Sequence, residues 1–298
     1  MAQRRTDLAV EAHQLWQETA GDASSLSGVR AEERLREGFP VSAVTVSTPQ
    51  AAQALGKPEG VYITLELDGL FRREEDAFRR TAEAVAAELR PLLPQNGLAL
   101  VIGLGNRAVT PDLIGPLTVD HLLVTRHLVE QVPEHFGHLR PVAAAAPGVL
   151  ASTGIESGLT AQALASKLNP ACVIAVDALA SRSLDRLCRT VQISDTGVVP
   201  GSGVGNHREA LDRNRLGVPV FTVGAPTVVD GSTLALDLLE KAGRADLTKQ
   251  ALARGGDFFV TPRDIDSRVA DLSKALGYGV SMALNPSLTV DELAMLLE

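Results

Sequence analysis

Apolar residues along the chain follow two spacings, and each spacing predicts a different kind of element. Residues 39–46 and 61–67 alternate between apolar and polar positions, which is typical of strands with one buried face. Shorter runs are apolar throughout, as expected for strands that are covered on both faces. These runs are residues 98–102, 173–176 and 218–223, and residues 142–146 form a further candidate strand.

Between these runs, apolar positions recur every three or four residues, as on one face of a helix. The helical segments are residues 6–36, 77–93, 112–131, 160–168, 232–242 and 265–283. Residues 192–206 are rich in Gly, Ser and Thr and predict a long surface loop or hairpin. Because strands and helices alternate, the sequence predicts an α/β fold with a largely parallel sheet. We expect one domain, with the first ~40 residues as an appendage.

Composition narrows the class of protein. The chain has 298 residues, of which 45% are hydrophobic, enough for one large core. Its formal charge of −8 and its lack of clustered Lys and Arg argue against a nucleic-acid-binding surface. No run is long enough for a membrane span, and no apolar segment follows the N-terminal arginines to form an export signal. We therefore expect an intracellular protein that contacts neither membranes nor nucleic acid directly.

Two aspartates follow apolar runs that predict strands. Asp112 comes shortly after the strand at residues 98–102, and Asp177 ends the run at residues 172–176. In open α/β sheets, ligands and chemistry collect at the carboxyl ends of the strands. Two carboxylates that meet there can share one proton and divide the acid and base roles between them. The pair is therefore the main candidate for catalysis.

Each aspartate also has a purely structural interpretation. Thr110 and Pro111 suit the N-cap and first position of a helix, which would place the Asp112 carboxylate in the first helical turn. Asp177 would cap a helix over residues 178–187. The local pattern alone leaves both interpretations open.

The glycine turn at residues 103–106 introduces nucleotide binding as a competing function. Gly103 and Gly105 follow a strand, as in a dinucleotide-binding loop. The third glycine of that fingerprint is replaced by Ala108, and Pro111 interrupts the helix that would receive the pyrophosphate. A tight turn that simply ends the strand is the alternative. Elsewhere, the spacing of the helical histidines and of the two cysteines does not match a metal site.

Seven short segments, in order along the chain, resemble the germination protease (spore protease) family. They are Arg-Thr-Asp-Leu-Ala-Val-Glu-Ala at 5–12, Gly-Leu-Gly-Asn at 103–106 with Thr-Pro-Asp at 110–112, Val-Thr-Arg-His-Leu at 124–128, Ala-Val-Asp-Ala-Leu-Ala at 175–180, Ser-Asp-Thr-Gly at 194–197 with Pro-Gly-Ser-Gly-Val-Gly-Asn at 200–206, Gly-Ala-Pro-Thr-Val-Val-Asp at 224–230 and Val-Thr-Pro-Arg-Asp-Ile-Asp at 260–266. Together these segments are far more specific than any single glycine motif.

This resemblance implies an endopeptidase that degrades small acid-soluble proteins of bacterial spores during germination, in the cytoplasm of the spore core. It implies a three-layer, phosphorylase/hydrolase-like α/β fold, with a mostly parallel sheet between two helical layers, related to the hydrogenase maturation peptidases. It also implies a homotetramer, an inactive zymogen, no cofactor, and an atypical aspartic mechanism with Asp112 and Asp177 as the catalytic pair. One carboxylate would take a proton from the attacking water and the other would donate one, while N–H groups of Gly103, Gly105 and Asn106 bind the oxyanion.

The resemblance also places a self-cleavage site near the N-terminus. Substrates of the family are cut after an acidic residue and before an apolar residue followed by Ala, and Asp7, Leu8 and Ala9 have that form. Cleavage between Asp7 and Leu8 would divide the chain into a pro-segment, residues 1–7, and a single peptidase domain, residues 8–298. The alternative is that Thr6 or Asp7 only caps the first helix.

His207 stands where the family more usually has a basic residue. In the related hydrogenase maturation peptidases, a histidine and two carboxylates bind nickel, and His207 with Asp112 and Asp177 offers the same types of ligand. A metal-assisted peptidase is therefore one alternative function. A non-enzymatic, nucleotide-binding α/β protein is another.

Overall fold

The structure of the chain is a computed structural model that describes residues 5–20, 26–201, 209–244 and 258–297. Nine strands in those residues form one sheet: β1 (Val29–Arg36), β2 (Phe39–Val46), β3 (Gly60–Glu66), β4 (Ala99–Gly103), β5 (Val142–Ala145), β6 (Cys172–Ser181), β7 (Thr190–Ser194), β8 (Val220–Asp230) and β9 (Phe259–Val260). The α-helices in the same residues are α1 (Ala9–Ala20), α2 (Pro49–Leu55), α3 (Asp68–Phe71), α4 (Ala77–Leu89), α5 (Ile114–Asp120), α6 (Arg126–Gln131), α7 (Pro133–Phe136), α8 (Leu150–Thr153), α9 (Ser157–Leu168), α10 (Arg213–Leu216), α11 (Gly231–Lys241), α12 (Ile265–Leu284) and α13 (Val290–Leu297).

The sheet has a parallel half and an antiparallel half. Its strand order is β1-β2-β3-β7-β8-β6-β4-β5, and β9 pairs with β8. Strands β8, β6, β4 and β5 run parallel to one another. Strands β1, β2, β3 and β7 are joined to each other and to β8 by antiparallel pairing. The predicted α/β fold class is confirmed, and the parallel half contains the strands that carry the candidate site.

Helices cover both faces of the sheet. On one face, called face A, α4, α5 and α12 pack over a core that includes Val101, Ile174 and Val223. On the other, called face B, α9 and α10 pack over the parallel strands. Also on face B, α1 and α2 pack over the antiparallel strands. The predicted three-layer architecture is confirmed.

Glycines let the long helix α12 approach its neighbours on face A. A Cβ atom at Gly277 would lie 2.6 Å from the carbonyl oxygen of His121, and one at Gly279 would lie 2.8 Å from the Val85 side chain. Glycine inside a helix costs up to about 1 kcal/mol relative to alanine. Here the close approach of α12 to α4 and to the end of α5 offsets that cost.

The predicted helix over residues 6–36 is wrong in its second half. Helix α1 ends at Ala20, and Val29–Arg36 forms β1, which is an edge strand of the sheet. Most side chains of β1 face solvent, so the strand lacks the alternation that marks one buried face. Instead, the Glu88 carboxylate of α4 holds the strand by accepting hydrogen bonds from Arg34 and, at 2.8 Å, from Nε of Arg36.

The predicted helix over residues 112–131 is divided into separate pieces. Helix α5 ends at Asp120, and α6 begins at Arg126. Between them, the Leu123 N–H donates to Oγ of Ser281 in α12 at 3.0 Å. This tertiary bond takes the place of the bond to the fourth preceding carbonyl that a continuous helix requires.

Strand β6 is longer than its apolar run predicts. It continues past Asp177 to Ser181, because residues 177–181 pair with residues 224–229 of β8. The helix predicted over residues 178–187 is therefore wrong, and so is its capping by Asp177. Residues 192–194 of the predicted loop belong to β7, whereas residues 202–206 of that loop lie outside the described residues.

Candidate active site

Asp112 ends a short 3-10 turn, Thr110–Asp112, in the connection that follows β4. Its Oδ2 atom accepts a hydrogen bond from the Asn106 N–H at 2.7 Å. The backbone comes so close that a Cβ atom at Gly105 (φ +134°) would lie 1.9 Å from the Asp112 carbonyl oxygen. Position 105 therefore requires glycine, and the carboxylate of Asp112 bonds back to the glycine turn. Val109 holds the N-cap position that was predicted for Thr110.

Asp177 lies inside β6 and is 5% exposed. Its Cα pairs with that of Gly224 in β8, and its Oδ1 atom accepts a hydrogen bond from the Ala178 N–H at 2.9 Å. Aspartates are seldom this deeply buried, because removal of the charge from water is costly unless partners compensate for it. Packing alone gives no reason for a carboxylate here, so Asp177 stays a candidate for chemistry.

The connection between β4 and Asp112 begins against the strand that carries Asp177. Strand β4 pairs with β6 as far as Gly103 and Val176, the residue before Asp177. The Leu104 N–H then donates to the Val176 carbonyl at 2.8 Å. The structure therefore places the connection that carries Asp112 beside the part of β6 that carries Asp177, although Asp177 lies inside β6 and not at the strand end that its apolar run predicts. That they share a proton stays a prediction.

The glycine turn at residues 103–106 has N–H groups that are already bonded within the chain. Those of Leu104 and Asn106 donate to the Val176 carbonyl and to the Asp112 carboxylate. A dinucleotide loop instead directs its N–H groups at a phosphate from the start of a helix. The next α-helix, α5, begins only at Ile114. This geometry disfavours the nucleotide alternative, and the oxyanion role of Gly103, Gly105 and Asn106 stays a prediction.

Four residues lie opposite one another in successive strands and include Asp177. They are Thr64 of β3, Gln192 of β7, Gly224 of β8 and Asp177 of β6, and we call them the cross-strand row. Side chains alternate along a strand, and the neighbours of these residues pack on face A, so the row lies on face B. Those neighbours are Ile63, Leu65, Val191, Ile193, Val223, Ala225, Val176 and Ala178. Adjacent strands lie about 4.8 Å apart, which separates the Cα atoms of Gln192 and Asp177 by about 10 Å.

The segment before α1 lies against this row. The Asp7 N–H donates to the Ala180 carbonyl, and the Ala180 N–H donates to Oδ2 of Asp7, both at 2.8 Å. The carbonyl oxygen of Asp7 accepts hydrogen bonds from Nζ of Lys57 at 2.9 Å and from Nε2 of Gln192 at 3.0 Å. The predicted cleavage site is thus held between β6, which carries Asp177, and Gln192 of the row.

The residues that follow Asp7 are fixed as firmly. Leu8 is 0% exposed and belongs to the same apolar cluster on face B as Leu179 of β6. The Leu8 N–H donates to Oγ1 of Thr6 at 3.0 Å, and the Ala9 N–H donates to Oε1 of Gln192 at 2.7 Å. The hydroxyl of Thr6 accepts from the residue before α1 and not from the first turn of the helix, so this bond is not an N-cap.

Glu11 anchors α1 beyond the end of β6. The side chain is buried, and its carboxylate accepts hydrogen bonds from the Arg182 N–H at 2.6 Å, from the Ser183 N–H at 3.1 Å and from the Thr6 hydroxyl. Burial raises the pKa of the Glu11 carboxyl, while these bonds and the guanidinium of Arg186 act in the opposite direction with a smaller total effect. The N-terminal segment is thus attached on both sides of the Asp7–Leu8 bond.

His207, the third residue of the metal alternative, lies outside the described residues. Within the part of the chain that the structure describes, no group of three or more His, Cys, Asp or Glu side chains is arranged to hold a metal ion. The metal alternative therefore stays untested. Among the helices of the described ranges, none is both long enough and apolar enough to cross a membrane.

Sequence reasoning missed Lys57, Gln192 and Glu11. Gln192 gave one usable signal, since it is a long polar residue between the apolar residues Val191 and Ile193. Lys57 gave none, because a lysine before a proline in a loop is ordinary. Glu11 lies in a segment that resembles the family, but its burial depends on contacts with residues about 170 positions away.

Comparisons with known proteins give one consistent answer. The model of a family described as germination protease matches residues 9–245. A germination protease of Clostridium perfringens is 39% identical over 318 residues, which cover 97% of each chain. One from Caldanaerobacter subterraneus is 39% identical over 321 residues, 98% of each chain. One from Bacillus cereus is 43% identical over 242 residues, 79% of this chain and 66% of the relative.

Fold and site define an α/β protein with one candidate aspartate inside a parallel strand and a second in the connection that follows the adjacent strand. The matches over most of its length show that the chain belongs to the germination protease family. It is therefore a peptidase, a hydrolase of peptide bonds associated with spore germination. The family resemblance of the seven segments is confirmed.

Proposed function

We propose that the chain is an endopeptidase that degrades small acid-soluble spore proteins during germination by an aspartic-type mechanism. Asp112 and Asp177 are the proposed catalytic pair. The observation that supports them is the hydrogen bond between Leu104 N–H and the Val176 carbonyl at 2.8 Å. It joins the glycine turn, to which the Asp112 carboxylate is bonded, to the residue before Asp177. Membership of the germination protease family supports the class of substrate.

In this mechanism, one carboxylate is ionised and the other carries a proton. The ionised group takes a proton from a water molecule, whose oxygen attacks the peptide carbonyl carbon. The protonated group gives its proton to the peptide nitrogen, and the carbon–nitrogen bond breaks. Two carboxylates close together resist double ionisation, which favours the singly protonated pair. The Asn106 N–H fixes the orientation of the Asp112 carboxylate.

We further propose that residues 1–7 are the pro-segment of a zymogen, which is removed by self-cleavage between Asp7 and Leu8. The bonds between Asp7 and Ala180 support this, because they hold Asp7 beside the strand of Asp177. Assembly as a homotetramer in the spore core is proposed from family membership, and light scattering in solution would measure the assembly.

The catalytic pair is tested by replacing each aspartate with its neutral isostere. Asp112→Asn and Asp177→Asn are each expected to lower kcat for a peptide containing Arg-Thr-Asp-Leu-Ala-Val-Glu-Ala by at least about 10²-fold, because each removes one partner of the proton transfer. The matched control, Asp266→Asn, changes an exposed aspartate at the start of α12 and is expected to leave kcat unchanged. A variant at 112 or 177 that folds and turns over normally removes that residue from the mechanism.

A chelator arm of the same assay separates the metal alternative. Activity that persists after treatment with a strong chelator supports the aspartic mechanism. Activity that is lost on chelation, is restored by a divalent metal and is absent in His207→Ala supports the metal-assisted alternative instead.

A further inference from the structure

One peptide group near the N-terminus has both of its polar atoms hydrogen-bonded, and its carbonyl is held by residues from distant parts of the chain. Its carbonyl oxygen belongs to Asp7 and accepts N–H groups from Lys57 and Gln192. Its N–H belongs to Leu8 and donates to the Thr6 hydroxyl. Such a degree of fixation is unusual for a segment before the first helix, because chain termini are usually poorly ordered.

The two donors approach the carbonyl from different elements. Lys57 lies in the connection between α2 and β3 and brings a cationic group to 2.9 Å. Gln192 lies in β7, is buried, and brings a neutral amide to 3.0 Å. The other end of the Gln192 amide accepts the Ala9 N–H at 2.7 Å, which fixes which end of the side chain faces Asp7. The amide therefore spans the Asp7–Leu8 bond.

The position of this peptide group relates it to the proposed chemistry. Gln192 and Asp177 both belong to the cross-strand row, and the Leu179 side chain covers Gly224 between them. Asp7 also pairs with Ala180, three residues beyond Asp177 in the same strand. The carbonyl is therefore bonded to a side chain on the face of the sheet that also carries the candidate carboxylate.

We infer that Lys57 and Gln192 are the oxyanion-stabilising residues for self-cleavage of the Asp7–Leu8 bond, and we call them the carbonyl clamp. This inference rests on the proposed function. When water adds to the Asp7 carbonyl carbon, the carbonyl oxygen gains negative charge, and preorganised donors are worth most where charge develops. The ionised carboxylate of the catalytic pair takes one proton from the water, the carboxyl group of the pair gives its proton to the Leu8 nitrogen, and the carbon–nitrogen bond breaks. Asp7 is left with a new α-carboxyl group, whose proton passes to the released amine or to solvent.

The environment of Lys57 suits this role. Burial lowers the pKa of its ammonium group. The carboxylates of Asp7 and Glu11 act in the opposite direction, with a smaller total effect. An ammonium group with limited hydration interacts more strongly with a new negative charge than a fully solvated one does. The assignment also leaves the Asn106 N–H with the task of orienting Asp112.

The test follows release of residues 1–7 from the full-length chain by intact mass, starting from uncut protein. Gln192→Glu keeps the acceptor for the Ala9 N–H but replaces the donor to Asp7 with an anionic oxygen of the same size. Lys57→Met removes the charge and keeps the length. Each is expected to slow cleavage on the order of 10²-fold, the usual loss for one oxyanion donor, and Lys57→Arg is expected to recover most of the rate.

Matched controls and a second measurement separate this role from simple anchoring. Lys167→Met and Gln162→Glu make the same changes at exposed positions of α9 and are expected to cleave at the wild-type rate. Amide exchange measures how firmly residues 8–12 are docked. Protection that stays unchanged in Gln192→Glu while cleavage slows supports the clamp. The clamp is overturned if Gln192→Glu and Lys57→Met both cleave at the wild-type rate. It is also overturned if residues 8–12 lose enough amide protection to explain the slower cleavage.

A peptide Arg-Thr-Asp-Leu-Ala-Val-Glu-Ala added to the wild-type protein separates failure of the carbonyl clamp from failure of the proposed peptidase activity. Hydrolysis of this peptide without release of residues 1–7, or release at a bond other than Asp7–Leu8, overturns the clamp and leaves the proposed peptidase in place. Absence of both reactions in folded wild-type protein overturns the proposed function.

Discussion

At position 105, the chain combines a positive φ with a close backbone contact. Residues other than glycine rarely adopt a φ of +134°. In addition, the carbonyl oxygen of Asp112 occupies the place of a Cβ atom. Gly154 offers a natural comparison, since it also has a positive φ, +72°, but nothing lies within 4 Å of its missing Cβ. The two positions therefore separate the cost of the backbone angle from the cost of the contact.

We predict that Gly105→Ala lowers the free energy of unfolding by about 1–3 kcal/mol more than Gly154→Ala does, because the contact adds to the strain of the angle. Gly154→Ala is expected to cost about 1–2 kcal/mol. Urea denaturation measures both values. Gly105→Ala should also lower peptidase activity, since the displaced turn carries Asp112. Equal losses of stability in the two variants would show that the contact at 105 relaxes freely.

At the scale of elements, an ion pair network attaches the edge strand β1 to helix α4. Glu88 is buried, and its carboxylate accepts from both Arg34 and Arg36. Burial acts to raise the pKa of Glu88, but the hydrogen bonds and charges of the two arginines outweigh it, so that the pKa lies below its usual value of 4.5. The ionised carboxylate is therefore the form that stabilises the fold.

We predict that Glu88→Gln lowers the free energy of unfolding at neutral pH by about 1.5–3 kcal/mol, the range for hydrogen bonds to charged groups. A depressed folded-state pKa means that the stabilisation is present above the unfolded-state value and is lost as the pH falls through the folded-state value. The difference between wild type and variant should thus shrink below about pH 4.5. Denaturation at several pH values measures it, with Glu83→Gln on the same helix as the control. A difference that does not depend on pH would contradict this account.

Among the strands and helices, some could be predicted from the sequence and others could not. Buried strands such as β4 and β8 are visible as apolar runs, and the candidate aspartates were found by following those runs to their ends. The continuation of β6 past Asp177 was not visible, because Ala178 and Ala180 suit a helix as well as a strand and pairing with β8 decides between them. The cross-strand row depends on the order β7-β8-β6, which no local pattern records.

Taken as a whole, the molecule is acidic, with a formal charge of −8. A peptide substrate with a net negative charge is therefore repelled by the long-range field of the protein, which slows its approach. Recognition must then depend on short-range contacts, of the kind that hold Asp7 and Leu8 in this structure.

We predict that kcat/KM for an acidic peptide substrate rises as salt increases from low concentration to about 0.15 M, because the Debye length shortens to about 8 Å and the repulsion is screened. The control is the same peptide with its acidic residues outside the cleavage site replaced by Asn or Gln. Its kcat/KM should change little over the same range. A fall with salt for the acidic peptide would indicate an attractive patch that the formal charge conceals.

The location of Asp177 inside a strand has a consequence for the temperature dependence of any reaction that uses it. Its backbone is held on one side by pairing with Gly224, and on the other side the residue before it, Val176, is held by Gly103 and Leu104. The entropy of immobilising this part of the chain is lost once, on folding, and is not lost again in each turnover. A carboxylate on a mobile loop would add that entropy to the activation barrier every time.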